Sequence, residues 1–341
     1  MVQDAGREDA EQSTELDEDV AMSLVNSAIT SAGESEEPAD PSGAADFNDE
    51  NQDPRTTYPS GESKQQSRDY PGWTDAMNPR PDHGEQSYVG HNRMLGRRAL
   101  ITGGDSGIGK AVAIAFAREG ADVAFTYLPE EEQDAENTVA LIQDAGSRAL
   151  AFPGDLQDEE FCQEIIAQTV AEFGGLNVLV NNAGFHMTTT RGIEDLDPEQ
   201  FDRTFKTNVY ALFWLTKAAL PYLRAGAAII NTSSIQGYHP SPRLIDYAAS
   251  NAAINSMTFS LAESLGPQGI RVNAVAPGPV WTPLQPPTQP AEEIRTFGQD
   301  TPLGRAGQPA ELAATYVLLA SEDSSYISGS VIGVTGGKHL A

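Results

Sequence analysis

Between Arg98 and Glu119 the chain runs from a short apolar strand, Arg98-Ala-Leu-Ile-Thr102, through a glycine-rich turn into a segment with helical spacing, Gly107 to Glu119. No other feature constrains the fold as much, because a strand that feeds a helix through a tight turn is the opening half of a βαβ unit. The alternation then continues. Asp122 to Tyr127 reads as a strand, 131–145 as a helix, Ala149 to Pro153 as a strand, 157–173 as a helix and Val178 to Asn181 as a strand. Helical spacing at 198–223 precedes a strand at 227–232, a helix at 245–265, a strand at 270–275 and a last strand at Val331 to Thr335. Parallel strands need crossover connections, which helices at this interval supply, so the predicted fold is α/β: a doubly wound Rossmann-type parallel sheet of about seven strands with helices on both faces. No repeat at solenoid periods is present.

Before Arg98 the composition differs. Residues 1–88 form an acidic, low-complexity extension rich in Asp, Glu, Ser, Gly, Pro and Gln, which buries too little apolar area to offset its ordering entropy. Residues 20–30 could form a short helix. The stretch holding Tyr70, Pro71, Trp73, Met77, Pro79 and Pro81 reads either as an extended arm lying along the domain or as a disordered one. Residues 89–341 are expected to form a single domain.

The formal net charge is −28. Residues 1–90 hold 21 acids and 5 bases and residues 91–341 hold 28 acids and 16 bases, so both parts are acidic. Such a field repels phosphate backbones and anionic lipid, which argues against nucleic acid and membrane surfaces as partners. An acidic surface with five lysines suits solubility at high salt, and a tail that inflates the total is the plainer reading. The single cysteine, Cys162, sits in an apolar-periodic stretch and reads as a buried spectator; it allows no internal disulfide and no cysteine-rich metal site. No apolar run of about 18 residues suggests a membrane span. The acidic N-terminal segment is unlike a secretory signal, so a cytoplasmic location is the expectation.

The turn itself, Thr102-Gly-Gly-Asp-Ser-Gly-Ile-Gly109, carries chemistry. Glycines allow a tight turn and let a pyrophosphate approach the backbone, while the helix that follows offers free N–H groups and the positive end of its dipole. A plain glycine turn is the alternative, weakened by the strand before it and the helix after it.

Further motifs follow in a fixed order: Asn181-Asn-Ala-Gly184 after the fourth strand, Asn208 within Lys206-Thr-Asn-Val-Tyr210, Ser234, Tyr247, and Pro277-Gly278 after the sixth strand. With the Thr-Gly-x-x-x-Gly-x-Gly spacing, residues 88–341 resemble the short-chain dehydrogenase/reductase family. The long N-terminal arm, Asp105-Ser106 and Trp281-Thr-Pro283 resemble most its bacterial glucose/ribitol dehydrogenase-like branch, which includes general stress proteins. The resemblance implies a nicotinamide dinucleotide held by Gly103, Asp105, Ser106, Gly107, Ile108 and Gly109. It implies that Tyr127 lies at the adenosine ribose, Asp155 and Leu156 beside the adenine, and Asn181, Ala183 and Gly184 along the cleft. Pro277, Gly278, Val280 and Thr282 would hold the nicotinamide end, Thr282 at the carboxamide. An acid at the end of the second strand would bind ribose hydroxyls and repel a 2′-phosphate. Tyr127 does neither, and Leu128-Pro-Glu-Glu-Glu132 offers carboxylates and no base, so the expectation leans to NAD, with NADP possible through Arg148 or a bound cation.

By the same resemblance Ser234 polarises a substrate oxygen, Tyr247 transfers the proton and Asn208 ends a water relay. A lysine four residues after the tyrosine would sit on the same helix face, lower the phenol pKa and bind the nicotinamide ribose. Here the run is Tyr247-Ala-Ala-Ser-Asn251. Asn251 can hydrogen-bond a ribose hydroxyl, but it carries no charge and cannot pass a proton as an ammonium does. Arg243 precedes the helix, and Lys338 would have to come from a neighbouring subunit. Two readings stay open: a slow or alkaline-shifted oxidoreductase, or a dinucleotide-binding pseudoenzyme acting as sensor or assembly partner.

Taken alone, Ser234 could cap a strand end, Asn208 could be a satisfied polar group and Tyr247 could be core. His186 and His239 flank the expected substrate mouth and read as surface histidines. Specificity is expected in residues 185–192, 235–245 and 279–300, where Gln236, His239 and Asp246 offer polar contacts and Trp281 with the prolines after it suggests a lid. These suit a small polyol, sugar or aldehyde better than a long apolar chain, and the family resemblance implies interconversion of a small alcohol or polyol and its carbonyl. The family implies a homotetramer joined through the helices that carry Asn208 and Tyr247. No metal cage is evident.

Overall fold

The computed structural model describes residues 52–340; the expected helix at 20–30 lies outside them. Seven parallel strands form one sheet: β1 (Arg98–Ile101), β2 (Asp122–Tyr127), β3 (Ala149–Pro153), β4 (Val178–Asn181), β5 (Ala228–Thr232), β6 (Arg271–Pro277) and β7 (Val331–Val334), in the order β3-β2-β1-β4-β5-β6-β7. The order reverses between β1 and β4, so a crevice opens there beyond the strand carboxyl ends.

Alternate residues of each strand serve opposite layers, as the two-residue period of a strand requires. Ala99, Ile101, Val178, Val180 and Ile230 pack under α1 (Gly107–Arg118), with α2 (Glu132–Asp144) beside it. Leu100, Leu179 and Ile229 face the opposite layer, built from α3 (Glu159–Phe173) and the helices after β4 and β5. Cys162 is buried in that second layer, its thiol pushed up to about 12 by burial, which makes it inert.

The expected single helix at 198–223 is divided into α4 (Pro198–Phe205), a π-helical turn at Lys206–Tyr210 and α5 (Ala211–Ala219). The wider turn adds a residue to the coil and lets the Asn208 side chain bond to another segment's backbone. After β5 comes α6 (Ile245–Leu265), followed beyond β6 by the short helices α7 (Gln285–Thr288) and α8 (Ala291–Arg295). Then α9 (Pro309–Ala320) packs on α1. The sequence analysis missed α9. It is apolar nearly all round and so shows no one-sided stripe; only its start is marked, by Pro309 at the first turn and the Gln308/Glu311 capping box. Among the described residues no helix is long and apolar enough to cross a membrane.

The chain before β1 lies along the domain. Between Asp53 and Arg97 it makes turns and extended stretches tied to distant segments. Trp281 Nε1 donates to the Pro79 carbonyl at 2.8 Å, the Thr74 N–H to Asp134 Oδ2 at 2.9 Å, and the Ala310 N–H to the Asp82 carbonyl at 3.0 Å. Met77, Trp281 and Ile294 form a small core with Phe297 and Ala306.

Glu119, just past α1, anchors the end of this arm. Its fully buried side chain accepts from the backbone N–H groups of His91 (2.8 Å) and Arg93 (2.9 Å), from the Tyr88 hydroxyl (2.6 Å) and from the Arg93 guanidinium (2.7 Å). Burial alone would raise its carboxyl, but these donors hold it down at about 2. The folded pKa lies below the unfolded one, so the stabilisation is present above the ordinary carboxylate range and is lost as pH falls towards 2. Glu119→Ala should lower unfolding stability at neutral pH by about 3 kcal/mol. Thermal melts of both proteins from pH 7 downward check this: the gap should close on acidification, and equal melting temperatures at neutral pH would rule the anchor out.

Candidate active site

The turn after β1 keeps its shape because its glycines have no room for a side chain. Gly103 and Gly107 have φ of +64° and +51°, and a Cβ on Gly109 would lie 1.9 Å from the Gly103 carbonyl oxygen. Here α1 approaches β1 so closely that only hydrogen fits. Thr102 then joins the two strands flanking the crevice: its Oγ1 accepts from the N–H groups of Asn182 (2.8 Å) and Ala183 (2.9 Å). The Asn182 amide donates back to the carbonyls of Thr102 (3.0 Å) and Gly103 (3.2 Å).

A cleft runs over this turn. Of the residues singled out from sequence, Gly103, Asp105, Ser106, Gly107, Ile108, Tyr127, Asp155, Leu156, Ala183, Gly184, Pro277, Gly278, Val280, Thr282, Ser234 and Tyr247 all line it. Four lie behind its wall. Gly109 packs on Gly103. Asn181 points into the sheet, where its amide donates to Asn231 Oδ1 at 2.9 Å; the neighbouring Asn182 is the one that faces the cleft. Asn208 accepts the Phe185 N–H at 2.7 Å and donates to the Phe185 carbonyl and to Ser250 Oγ, both at 3.0 Å, so its amide fixes the loop after β4. Asn251 is buried and folds back on its own helix, its Nδ2 donating to the Tyr247 carbonyl at 2.8 Å.

Sequence reasoning did not place Tyr70, Pro71 and Gly72 in the cleft wall, yet the arm brings them there. The Arg203 guanidinium stacks on both Tyr70 (4.7 Å to the ring centre) and Phe185 (4.0 Å) and so ties the arm to α4. Gly72 runs hard against the chain after β6: a Cβ there would stand 2.0 Å from the Pro283 carbonyl oxygen.

The end of the cleft around Tyr127 and Asp155 is acidic. Asp105 is buried with Oδ2 unpartnered, and burial raises its carboxyl to about 7. Burial, and then the nearness of Asp105, raises Glu131 as well. Arg148 is turned away: it pairs with Asp122 on the surface, Nε to Oδ2 at 3.0 Å.

At the other end, Ser234, Tyr247, His186, Gly278 and Gln285 are shared between the cleft and a second cavity that continues past Gln236, His239, Leu244, Glu293, Lys338 and His339. Ser234 and Tyr247 therefore stand where two compartments meet. Burial raises the Tyr247 phenol above its ordinary value, and hydrogen bonding from Ser234 and Asn251 opposes that rise. Lys338 is ion-paired with Asp300 of its own chain, Lys110 donates to Asn137 Oδ1 at 2.8 Å, and Arg243 holds Glu293 and the Thr189 carbonyl. Asp246 is not a cavity contact; it is buried beneath, accepting from Thr204 Oγ1 at 2.7 Å and from the Gln200 amide at 3.1 Å. Trp281 likewise packs inward with Met77 rather than forming a lid. Among the described residues no group of His, Cys, Asp and Glu side chains is arranged to hold a metal ion.

The comparisons with known proteins agree with this arrangement. The family model described as enoyl-(acyl carrier protein) reductase matches residues 103–339. General stress protein 39 of Bacillus subtilis is 51% identical over 83% of this chain and 98% of its own length. Glucose and ribitol dehydrogenase of Daucus carota is 45% identical over 80% of this chain and 95% of its own. A short-chain dehydrogenase from Burkholderia cenocepacia, solved in complex with NADP, superposes with a TM-score of 0.67 at 34% identity, covering 72% of this chain and 98% of that one. A glycine turn at the switch point of a parallel sheet, a serine and a tyrosine at the cleft's inner end and relatives of this similarity have one reading: the chain belongs to the short-chain dehydrogenase/reductase family, in its glucose/ribitol dehydrogenase-like branch, and is an oxidoreductase.

Proposed function

We propose that the protein interconverts a small alcohol or polyol and the corresponding carbonyl compound with a nicotinamide dinucleotide, at a rate limited near neutral pH by Asn251. The observation that carries this reading is the position of Ser234 and Tyr247 where the glycine-turn cleft opens into the second cavity. The glycine cradle fits a dinucleotide, since it leaves the start of α1 open to a pyrophosphate. Asp155, Leu156 and Tyr127 would flank its adenosine, and Gly278, Val280 and Thr282 its nicotinamide. Bound there, the nicotinamide supplies hydride acceptance or donation. Ser234 donates to the substrate oxygen, and Tyr247 removes or returns its proton.

Oxidation needs the phenolate, and with the phenol raised by burial its population grows only towards alkaline pH. Asn251→Lys should raise kcat near pH 7 by about tenfold or more and move the alkaline limb of the rate profile to lower pH; Tyr247→Phe should abolish turnover. Steady-state rates on a polyol and aldehyde panel from pH 6 to 10 check both. Dinucleotide binding without turnover in either the native protein or the lysine variant would favour the second reading, a binding protein with a silent site, for which Asn251 is the supporting observation.

We propose NAD as the preferred form. Asp105, Glu131 and Asp155 line the adenosine end and Arg148 is committed elsewhere, which disfavours an added phosphate. The NADP of the Burkholderia relative supports the opposite choice. Calorimetry should give NADH at least about tenfold tighter binding than NADPH; the reverse order would overturn the preference. Because Gly72 cannot accept a Cβ, Gly72→Ala should lift the arm from the cleft and weaken binding of either form, read in the same titrations.

We also propose a homotetramer. The helices that carry Asn208 and Tyr247 expose Tyr210 (46%), Phe213 (48%) and Phe259 (48%), apolar area that association would cover. Light scattering should give four chains, and Phe259→Asp should reduce that number; a monomeric native protein would exclude the assembly.

A further inference from the structure

Among the described residues that line the cleft, Arg203 of α4 is the one lysine or arginine. The bases elsewhere around the site are committed. Arg243 pairs with Glu293, Lys338 with Asp300 and Arg148 with Asp122, and Lys110 donates to Asn137 Oδ1. Asp202, next to Arg203 in the chain, pairs instead with Lys206 at 2.8 Å. Arg203 itself makes no ion pair among the described residues, although the cleft it lines also holds Asp105, Glu131 and Asp155.

Two aromatic rings hold the guanidinium in place. Its carbon lies 4.0 Å from the centre of the Phe185 ring and 4.7 Å from that of Tyr70, and the two rings meet edge-on, 5.5 Å apart at 86°. Each ring is fixed by its own backbone. Asn208 accepts the Phe185 N–H and donates to the Phe185 carbonyl. Tyr70 belongs to the arm, which is pinned just beyond it where Gly72 meets the Pro283 carbonyl and where the Thr74 N–H donates to Asp134 of α2. A guanidinium resting on rings uses its π face and keeps its in-plane N–H groups, which bind carboxylate or phosphate oxygens in pairs, for another partner. Arg203 is half-buried, so a cation without a counter-charge costs free energy there that a bound anion would recover.

We propose that Arg203 is a dinucleotide-binding residue, its guanidinium pairing with the pyrophosphate that the nicotinamide cofactor brings to the glycine turn. The proposal rests on the dehydrogenase reading above. The topology favours this phosphate over a 2′-phosphate. β1, which feeds the glycine turn, lies between β2 and β4 in the sheet. Tyr127 and Glu131 come from the end of β2 and the segment after it, whereas Phe185 and Arg203 come from the segment after β4, across the turn. In a sheet of this order the ribose 2′ position belongs at the end of the second strand and the pyrophosphate at the helix N-terminus. The arm then has a second part in binding, since Tyr70 braces the cation that meets the phosphate.

Calorimetric titration with NADH, NADPH and ADP-ribose, each of which carries the pyrophosphate, tests it. Arg203→Met, which keeps a long apolar stem against both rings, should weaken all three by a similar factor of about tenfold or more. Arg203→Lys keeps the charge but not the paired N–H groups, and its affinities should fall between those of the native and methionine proteins. Added salt should weaken NADH binding to the native protein more than to Arg203→Met, because the lost interaction is electrostatic. Tyr70→Leu loosens the arm and leaves the cation, so it should cost less than Arg203→Met and keep the salt response. Equal losses in Tyr70→Leu and Arg203→Met, with unchanged salt response in both, would mean that Arg203 only latches the arm, and would overturn the proposal. A loss confined to NADPH would put the guanidinium at the 2′-phosphate and overturn it as well. Native affinity retained by Arg203→Met would remove Arg203 from binding while leaving the dehydrogenase reading standing. A native protein that binds none of the three ligands would overturn that reading, and the role of Arg203 with it.

Discussion

The hydroxyl of Thr102 holds the site open. By accepting the N–H groups of Asn182 and Ala183 it pins the end of β1 to the end of β4, the two strands from which the sheet winds in opposite directions. Everything chemical lies above that joint. The Asn182 amide, turned back to the Thr102 and Gly103 carbonyls, braces the glycine turn from below. Its own oxygen accepts from Thr232 Oγ1 at 3.3 Å. Thr232 therefore receives its proton from the buried Tyr316 hydroxyl at 2.7 Å. A helix late in the chain thus supports a turn early in it, and the floor of the cleft is cross-linked by hydrogen bonds within the protein itself. A preformed floor leaves less ordering to be done on binding.

Above the floor the charges are unusual for a site that receives a phosphorylated ligand. Carboxylates gather at the end of the cleft around Tyr127 and Asp155, where burial raises Asp105 and Glu131 above the ordinary carboxylate range. At the Ser234–Tyr247 end, Lys338 is paired with Asp300 and Arg243 with Glu293. The Tyr247 phenol therefore depends on hydrogen bonds where electrostatic attraction would be stronger.

Much of this was legible in the sequence. The strands at 122–127, 149–153 and 178–181 and the helix at 245–265 occur where the apolar spacing put them, because each buries residues at a regular period. The glycine turn was legible because close approach permits no substitute for glycine. Where the sequence analysis fell short, the missing information was non-local. The helix at 309–320 turns outward Glu311, Ala314, Thr315 and Leu318, two of them apolar, so its outer face is not marked by polarity. The interruption at 206–210 follows from what Asn208 must reach, which no periodicity records. His186 reads as an ordinary surface histidine, yet the fold buries it against Tyr247 and against Thr288, 102 positions later.

By itself the sequence determined the strand order along the chain, the parallel sheet and the place of the glycine turn, since these rest on local spacing and on side-chain chemistry at fixed separations. It also determined that the lysine position holds Asn251. Tertiary structure alone decided which of two neighbouring asparagines faces the cleft, that Tyr70 to Gly72 form part of its wall, that Arg148 and Lys338 are committed to other partners, and that a buried imidazole and carboxylate stand beside the tyrosine. The reason is the same in each case. Burial, pairing and protonation state depend on groups brought together from distant parts of the chain, and only folding sets those distances.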